Sequence, residues 1–337
     1  MVKRVSLKDI ANKVGVSSAL VSYVLNEKFT GRINKNVAQK IRDTAVELNY
    51  RTNQIARSLK TSRTNTIGLI VADISNPFSS SMARIIEDEA AKVNFTVIFG
   101  STDENPSKSE KLVNTFLNRH VDGLIIAPRE NTENVVEYLI KQEVPFVLVD
   151  RYFPSIDTNY VALDNFKATY EAVEYLSMTG FENIAMLNYQ TSLFNLNERT
   201  RGYQTALNDH TPNSEEVWLK EVDAANVQET VMQSIDDLWT ADQRPNAIIF
   251  ASNEIALHGL KHIMKLGIKV PEELAVITFD QLASWDIFYS PLTYIKQPLQ
   301  EMGQLATQIL LDCIEGDKKI QQYLIPGSLV KRDSTKK

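Results

Sequence analysis

The chain opens with three short stretches in which apolar residues recur every three or four positions, the spacing typical of amphipathic helices. The first ends at Gly15, a residue that can turn the chain without steric cost, and Ser17 is then placed to cap a second helix. Asn34 can cap a third helix, whose apolar stripe would close a small core. The pattern predicts an all-α helix-turn-helix domain over residues 1–50.

The second predicted helix has two unlike faces. Leu20, Val21, Val24 and Leu25 can face the core, which leaves small and hydroxylated residues and one large ring, Tyr23, on the outside. A helix enters the major groove of DNA only if its contacting side chains fit, so this face is suited to reading base edges. We expect base contacts from Ser18, Ala19 and Tyr23, and phosphate contacts from Ser6, Ser17, Ser22 and Asn26.

A short apolar face follows in Asn53 to Lys60, where Ile55, Ala56 and Leu59 fall on one side of a helical wheel. A single helix of about eight residues is unstable alone, because nucleation costs more than so few hydrogen bonds return. This stretch is therefore either a plain linker or a helix that folds only against a partner.

Charge is divided unevenly along the chain. Residues 1–63 carry thirteen Lys and Arg against four acids, whereas the rest carries 23 basic and 38 acidic residues, out of whole-chain totals of 36 and 42. The balance is +9 at one end and −15 over the remainder. The first end can attract the phosphates of double-stranded DNA, while the rest repels them.

Beyond residue 64, apolar strand-like runs alternate with longer helical patterns, which is typical of a parallel sheet covered on both faces. About 270 residues exceed one comfortable core, so two α/β lobes are expected. The predicted strands are Ile67 to Val71, Thr96 to Phe99, Gly123 to Ala127, Phe146 to Val149, Ile184 to Leu187, Ala247 to Phe250 and Ala275 to Thr278.

The stretch LKDIANKVGVSSALVSYVLN, followed by LNYRTNQIARSLKTSRTNTIGLIV, resembles the LacI family of bacterial transcriptional regulators, and later motifs extend the likeness over nearly the whole chain. The resemblance implies a homodimer, most often a repressor, on a pseudo-palindromic operator. It implies that residues 51–64 are a hinge helix and linker, folded with the dimer mate in the minor groove, where Leu59 wedges into a base step. The contacts expected from this hinge are those of Asn53, Ile55, Ala56, Leu59 and Lys60.

The resemblance also implies that residues 65–337 form a periplasmic-binding-protein-like (type I) sensor and dimerisation domain, with crossings between lobes near Leu163, Ser290 and Gly327. In open α/β sheets ligands bind beyond the carboxyl ends of strands, and the residues there are polar. The polar or aromatic residues that follow the apolar runs are Asp73, Asn76, Phe78, Asp150, Arg151, Asn253 and Asp280, and Arg199 precedes an apolar helix. The resemblance matches the family's effector-contacting positions to Asn76 to Phe78, Asp150, Arg151, Arg199 and Asp280. This chain departs from the family's pattern at Glu254 and Phe279.

The two carboxylate oxygens of Asp can accept hydrogen bonds from vicinal hydroxyls, and the planar guanidinium of Arg can donate hydrogen bonds to them. Aromatic rings add faces on which a ligand can stack. Phe78, Phe194 and Trp285 are expected to be walls of the site. The composition favours a carbohydrate effector, with a nucleobase or nucleoside as the alternative, and it leaves open whether the ligand induces or corepresses. A purely structural salt-bridge network across the cleft remains the competing interpretation of the charged residues.

Enzymatic motifs are missing from the chain: it has no Gly-rich phosphate loop, GxSxG elbow or HExxH. We expect no cofactor and no metal, and His258 and His262 are assigned to a solvated helix face. No apolar signal segment or membrane-length run is present, and Cys313 is alone, so a cytoplasmic protein without membrane contact is expected. An architectural DNA-binding protein without effector, or an enzyme tethered to DNA, would be the competing classes.

Overall fold

A computed structural model describes residues 5–26, 32–50, 63–210 and 218–336. The chain divides into two compact units, Met1–Thr64 and Asn65–Lys337. The predicted hinge contacts at Asn53, Ile55, Ala56, Leu59 and Lys60 lie outside the described residues, so they stay predictions.

The described part of the smaller unit contains helices α1 (Leu7–Val14), α2 (Ser18–Leu25) and α3 (Lys35–Glu47). Ser6 caps α1 in a capping box with Asp9, and Gly15 ends it in the left-handed conformation at φ 79°. The Ser17 hydroxyl accepts a hydrogen bond from the Leu20 amide, and the Asn34 side chain caps α3 in the same way. The buried centre of this unit, packed by all three helices, is made of Ile10, Ala11, Val21, Val24, Ile41 and Ala45.

The first half of the larger unit forms one lobe with a six-stranded parallel sheet in the order β11-β5-β4-β3-β1-β2. Its elements in chain order are β1 (Thr66–Val71), α4 (Pro77–Lys92), β2 (Thr96–Ser101), α5 (Pro106–Asn118), β3 (Gly123–Ile126), α6 (Glu133–Lys141), β4 (Phe146–Val149) and β5 (Tyr160–Leu163), joined later by α12 (Leu299–Ile314) and β11 (Gln322–Ile325). Apolar residues of α4 and α12 cover one face of the sheet, and those of α5 and α6 cover the other.

The second lobe has a six-stranded sheet in the order β12-β10-β9-β8-β6-β7, in which only β12 runs antiparallel to its neighbour. Its elements in chain order are α7 (Asn165–Met178), β6 (Ile184–Tyr189), α8 (Phe194–His210), β7 (Trp218–Val222), α9 (Val227–Thr240), β8 (Ala247–Phe250), α10 (Asn253–Leu266), β9 (Ala275–Phe279), α11 (Ser284–Ile287), β10 (Thr293–Lys296) and β12 (Ser328–Val330), followed by a 3₁₀ turn, Asp333–Thr335. Helices α7 and α8 cover one face, and α9 and α10 cover the other.

All seven predicted apolar runs lie in strands, but the sequence patterns did not predict β5, β7, β10, β11 or β12. These five strands are only three to five residues long, and β7, β11 and β12 are edge strands. These three edge strands are partly exposed and lack the continuous apolar run that marks a strand buried on both faces.

The chain passes between the lobes three times in the described region. It leaves the first lobe between Leu163 and Asn165, returns at Gln297 and Pro298 before α12, and crosses again at Pro326 and Gly327. The crossing predicted near Ser290 is therefore wrong, because β10 comes after Ser290 and still pairs with β9 in the second lobe.

Helices α7 and α8 approach very closely at Gly202. A Cβ atom built on this buried glycine would collide with the carbonyl oxygen of Phe166 and lie 3.2 Å from the Tyr170 amide. The obstacle is helix backbone, which cannot rotate away, so only glycine permits this contact.

In the described part of the chain, no helix combines the length and the apolar character that crossing a membrane requires.

Candidate ligand cleft and nucleic-acid interface

A cavity of about 670 Å³ lies between the two lobes of the larger unit, at the carboxyl ends of strands from both sheets. Strand ends of two sheets facing one another form the crevice in which α/β folds bind ligands, and the volume suits a small molecule. A second cavity of about 690 Å³ opens nearer the crossings and shares Phe78, Asp280 and Gln297 with it. We assign the ligand site to the first, because Arg129, Arg151 and Arg199 line it beside acids of both lobes, whereas no arginine lines the second among the described residues.

Seven of the ten predicted ligand residues line this cavity: Asp73, Asn76, Phe78, Asp150, Arg151, Arg199 and Asp280. The other three, Asn253, Phe194 and Trp285, do not line it. Trp285 is buried in the core of the second lobe, where its indole N–H donates to the Asp280 carbonyl oxygen at 2.9 Å. Phe194 packs edge-on against Tyr152, with ring centroids 5.3 Å apart. Burial in apolar clusters offers both rings more contact than an open wall would.

Arg199 is the central cation of the cleft. It projects from α8 and is 4% exposed. Its Nε donates to Asn165 Oδ1 at 2.7 Å, one terminal nitrogen donates to the Ala251 carbonyl, and the guanidinium lies 3.7 Å from the centre of the Phe279 ring. Burial lowers the pKa of Arg199 to about 10, partly offset by the charges of Asp280 and Asp150, so it stays a cation at neutral pH.

Asp150 and Asp280 hold equivalent places in the two lobes. Each follows a strand, β4 or β9, and each has a left-handed backbone, with φ of 68° and 69°. Such values are uncommon outside glycine, although Asp adopts them more readily than most residues, and they turn the chain sharply at the strand end. Burial raises the pKa of both carboxyls, because it disfavours the charged form.

Asp280 is held by two amides, since its carboxylate accepts from Asn253 Nδ2 at 2.9 Å and from Gln297 Nε2 at 2.7 Å. Asn253 also donates to Asn76 Oδ1 of the other lobe at 3.0 Å. Asn253 therefore positions Asp280 and links the two lobes by a hydrogen bond, although it does not itself line the cavity.

A carboxylate that the sequence patterns did not single out, Glu104, also lines the cleft. It accepts two hydrogen bonds from Arg151, at 2.7 and 3.0 Å, and forms an ion pair of 2.7 Å with Arg129. Nearby, Glu130 reaches across to the second lobe, where it accepts from the Ser192 amide at 2.6 Å and from the Thr191 hydroxyl. Arg129 and Glu130 follow β3, so inspecting every strand end would have found them.

The two departures from the family's pattern have defined contacts. Glu254 accepts a hydrogen bond from the Tyr189 hydroxyl at 2.7 Å, and the Phe279 ring supports Arg199. One further expectation is wrong: His262 is not on a solvated face. It is 5% exposed between α9 and α10, with Nε2 2.7 Å from Asp236 Oδ1.

The predicted DNA-reading face lies on α2 of the smaller unit. Ser17, Ser18, Ala19 and Tyr23 are exposed, while Ser22 is half-buried. Ala19 and Tyr23 are four residues apart and share a face. Asn26 ends the helix, and its side-chain amide donates to the Ser22 carbonyl at 2.8 Å. Ser6 is exposed at the start of α1, where its hydroxyl is engaged in the capping box.

Fold and site together define a class of protein: a helix-turn-helix unit joined to a two-lobed α/β unit with a polar cleft, the arrangement of a DNA-binding regulator with a sensor domain. Residues 6–53 match the family described as bacterial regulatory proteins, lacI family, and residues 173–335 match the periplasmic binding protein-like domain. The chain belongs to the LacI family of bacterial transcriptional regulators. The predicted family and fold class are confirmed, and the protein is a regulator and not an enzyme.

Similar proteins cover nearly the whole chain. The probable HTH-type transcriptional regulator EndR of Paenibacillus polymyxa is 30% identical over 321 residues, which is 94% of this chain and 92% of the relative. Catabolite control protein A of Priestia megaterium is 30% identical over 336 residues, with 98% and 99% covered. The crystal structure of the Lac repressor dimer bound to operator and the anti-inducer ONPF superposes with a TM-score of 0.85 at 25% identity, covering 99% of each chain.

Proposed function

We propose that this regulator is a homodimeric repressor that binds a pseudo-palindromic operator, and that a carbohydrate bound in the cleft changes its affinity for DNA. The observation that carries the proposal is the position of Arg199, which lies in one cavity with Asp150 of the first lobe and Asp280 of the second. A ligand held by all three bridges the lobes, and so its binding depends on how the lobes are arranged.

A carbohydrate fits the chemistry of the cavity better than a nucleobase or nucleoside. Buried carboxylates offer paired acceptors, and a guanidinium offers donors, which together match the hydroxyls of a sugar ring. A flat base needs aromatic faces on which to stack. Among the described lining residues the aromatic rings are Phe78 and Tyr189, whereas Trp285 and Phe194 pack elsewhere.

For DNA, we propose that Ser18, Ala19 and Tyr23 read the major groove of each half-site, with the hinge of the two protomers in the minor groove between them. The similar Lac repressor was crystallised as a dimer on its operator, which supports a dimer here. Two-fold proteins match two-fold operators. The site of action is then the cytoplasm, where operator DNA lies.

The division of labour on DNA is tested by two substitutions. Tyr23 is 41% exposed, so Tyr23→Ala should leave the fold intact and change the preference among operator sequences. Leu59→Ala should weaken binding to all cognate operators by reducing the kink. Fluorescence anisotropy on a panel of operators measures both. Equal losses on random DNA for the two variants would contradict this assignment.

The effector is tested by titrating the operator-bound chain with monosaccharides, disaccharides, nucleobases and nucleosides. At least one carbohydrate should change operator affinity by about 5–150-fold, the range of common allosteric couplings. Arg199→Lys should abolish the response, because Lys lacks the planar fork of donors. Arg201→Lys is the matched control, since Arg201 is two residues further along α8, exposed and paired with Glu198.

A panel in which no carbohydrate, nucleobase or nucleoside changes operator affinity or raises Tm would refute the sensor role and favour an architectural DNA-binding protein. A response to nucleosides alone would replace the proposed ligand class. An equal loss of response in the Arg199 and Arg201 variants would show that the cleft is not the site.

A further inference from the structure

We infer that Glu104 fills an anion-binding position inside the cleft, and that it thereby restricts the effector to uncharged or cationic molecules and excludes sugar phosphates and sugar acids. The inference rests on the proposed function, since it concerns what the same cleft selects. It assigns a specificity-determining role to a residue that the family resemblance did not point to.

The contacts of Glu104 are those that an anionic ligand would make. Its two carboxylate oxygens accept from both terminal nitrogens of Arg151, at 2.7 and 3.0 Å, in the two-pronged arrangement that Arg forms with carboxylates and phosphates. Arg129 adds an ion pair of 2.7 Å to the same carboxylate, and its Nε donates to the Glu104 carbonyl oxygen at 2.7 Å. Two guanidinium groups of the cleft are thus directed at one internal anion.

The rest of the cleft offers an anion little compensation. Eight acids and three arginines line the cavity, and no lysine lines it among the residues that the structure describes. The third arginine, Arg199, already interacts with Asp150 and Asp280. A phosphate that entered would lose its hydration and meet a net negative surface, so its binding is disfavoured.

Glu104 is held in place and kept charged by its surroundings. Burial alone would raise its pKa, but the hydrogen bonds and charges of Arg151 and Arg129 outweigh burial and lower the pKa. The backbone at Glu104 is left-handed, at φ 54°. This conformation is uncommon for residues other than glycine, and it persists only where the surrounding structure fixes it. The fold itself therefore supplies the anion that the cleft arginines bind, which is the Glu104 carboxylate.

The test compares Glu104→Gln with Asp103→Asn in the full chain. Both substitutions remove one negative charge from neighbouring left-handed residues, but Asp103 pairs with Lys108 and not with the cleft arginines. Calorimetric titration at constant ionic strength uses inorganic phosphate as the probe, with glucose and glucose 6-phosphate as a matched pair. Glu104→Ala repeats the measurement with no amide at this position.

Glu104→Gln should bind phosphate about tenfold or more tightly than the wild type and Asp103→Asn, because a guanidinium is released to make charge-assisted bonds. The proposal is overturned if a folded Glu104→Gln or Glu104→Ala variant binds phosphate no more tightly than the wild type does. It is also overturned if Asp103→Asn gains as much phosphate affinity as Glu104→Gln. Stabilisation of the larger unit of the wild type by millimolar phosphate, followed by the fluorescence of Trp218, Trp239 and Trp285, would overturn it too, whether or not the variants fold. No effector or DNA is needed, so failure here is distinct from failure of the operator titration.

Discussion

Replacing Arg199 by Met should destabilise the larger unit, because it removes the cation that balances two buried acids. Methionine keeps most of the length of the side chain and its contact with the Phe279 ring. What is lost is the charge, together with the hydrogen bonds to Asn165 and the Ala251 carbonyl. The change therefore isolates the electrostatic role of the arginine from its packing.

The expected loss in the free energy of unfolding is about 3–5 kcal/mol, the usual result of leaving buried charges without their partner. Since roughly 2–4 °C of Tm corresponds to each kcal/mol in a domain of this size, Tm should fall by on the order of 10 °C. Arg201→Met is the control. It removes an exposed ion pair with Glu198, which is worth about 0–1 kcal/mol.

The loss should depend on pH in a definite direction. A carboxyl whose pKa is raised on folding binds more protons in the folded state than in the unfolded state. Its ionisation therefore lowers the stability of the protein as the pH rises through the folded pKa. Below the unfolded pKa this loss of stability is absent. Burial raises the pKa of Asp150 and Asp280 above the ordinary 3.8. Arg199 offsets their ionisation, so the deficit of Arg199→Met should shrink as the pH falls from neutral towards 4.

Urea titration followed by tryptophan fluorescence measures this deficit. Trp285 is a suitable reporter, because it is 1% exposed and hydrogen-bonded to the Asp280 carbonyl oxygen. The reasoning is refuted if Arg199→Met loses no more stability than Arg201→Met, or if its deficit grows on acidification.

Two further substitutions test the close helix contact and the bridge between lobes. Gly202→Ala should cost about 1–3 kcal/mol in urea unfolding, because the added methyl meets the backbone of α7, whereas the exposed Gln204→Ala on the same helix should be nearly neutral. A neutral Gly202→Ala would show that the helices can move apart. Glu130→Ala should speed hydrogen exchange at the Ser192 amide about tenfold or more, since a charge-assisted bond of about 1.5–3 kcal/mol is lost. Glu133→Ala, which changes an exposed residue near the same loop, should leave that exchange rate unchanged, and equal rates in both variants would contradict the bridge.

Local patterns predicted much of the fold, because the forces that set these elements act between near neighbours. The hydroxyl at Ser17 and the glycine at position 15 define a helix start and a helix end within a few residues. Apolar runs marked seven strands, including the edge strand β2, while the edge strands β7, β11 and β12 gave no such signal. The position of Ser290 misled because strand β10, on which the crossing depends, has the sequence TYIK, which has a polar residue at each end and no continuous apolar run.

The site was predictable only in part. The rule that ligands lie beyond strand ends pointed to Asp150, Arg151 and Asp280, and these three residues do line one cavity. Aromatic walls were not predictable in the same way, because a ring such as Trp285 is equally suited to the core. Its burial was decided by packing in the second lobe.

The sequence by itself determined the family, the helix-turn-helix unit, the alternation of strands and helices, and the charge division between the two ends. Tertiary structure alone decided which charges neutralise one another. Glu104 and Arg151 are 47 residues apart, and Asn76 and Asn253 are 177 apart, yet each pair is in hydrogen-bond contact. Hydrogen-bond partners depend on distance in space, which the folding of the first lobe sets for Glu104 and Arg151, and the approach of the two lobes sets for Asn76 and Asn253.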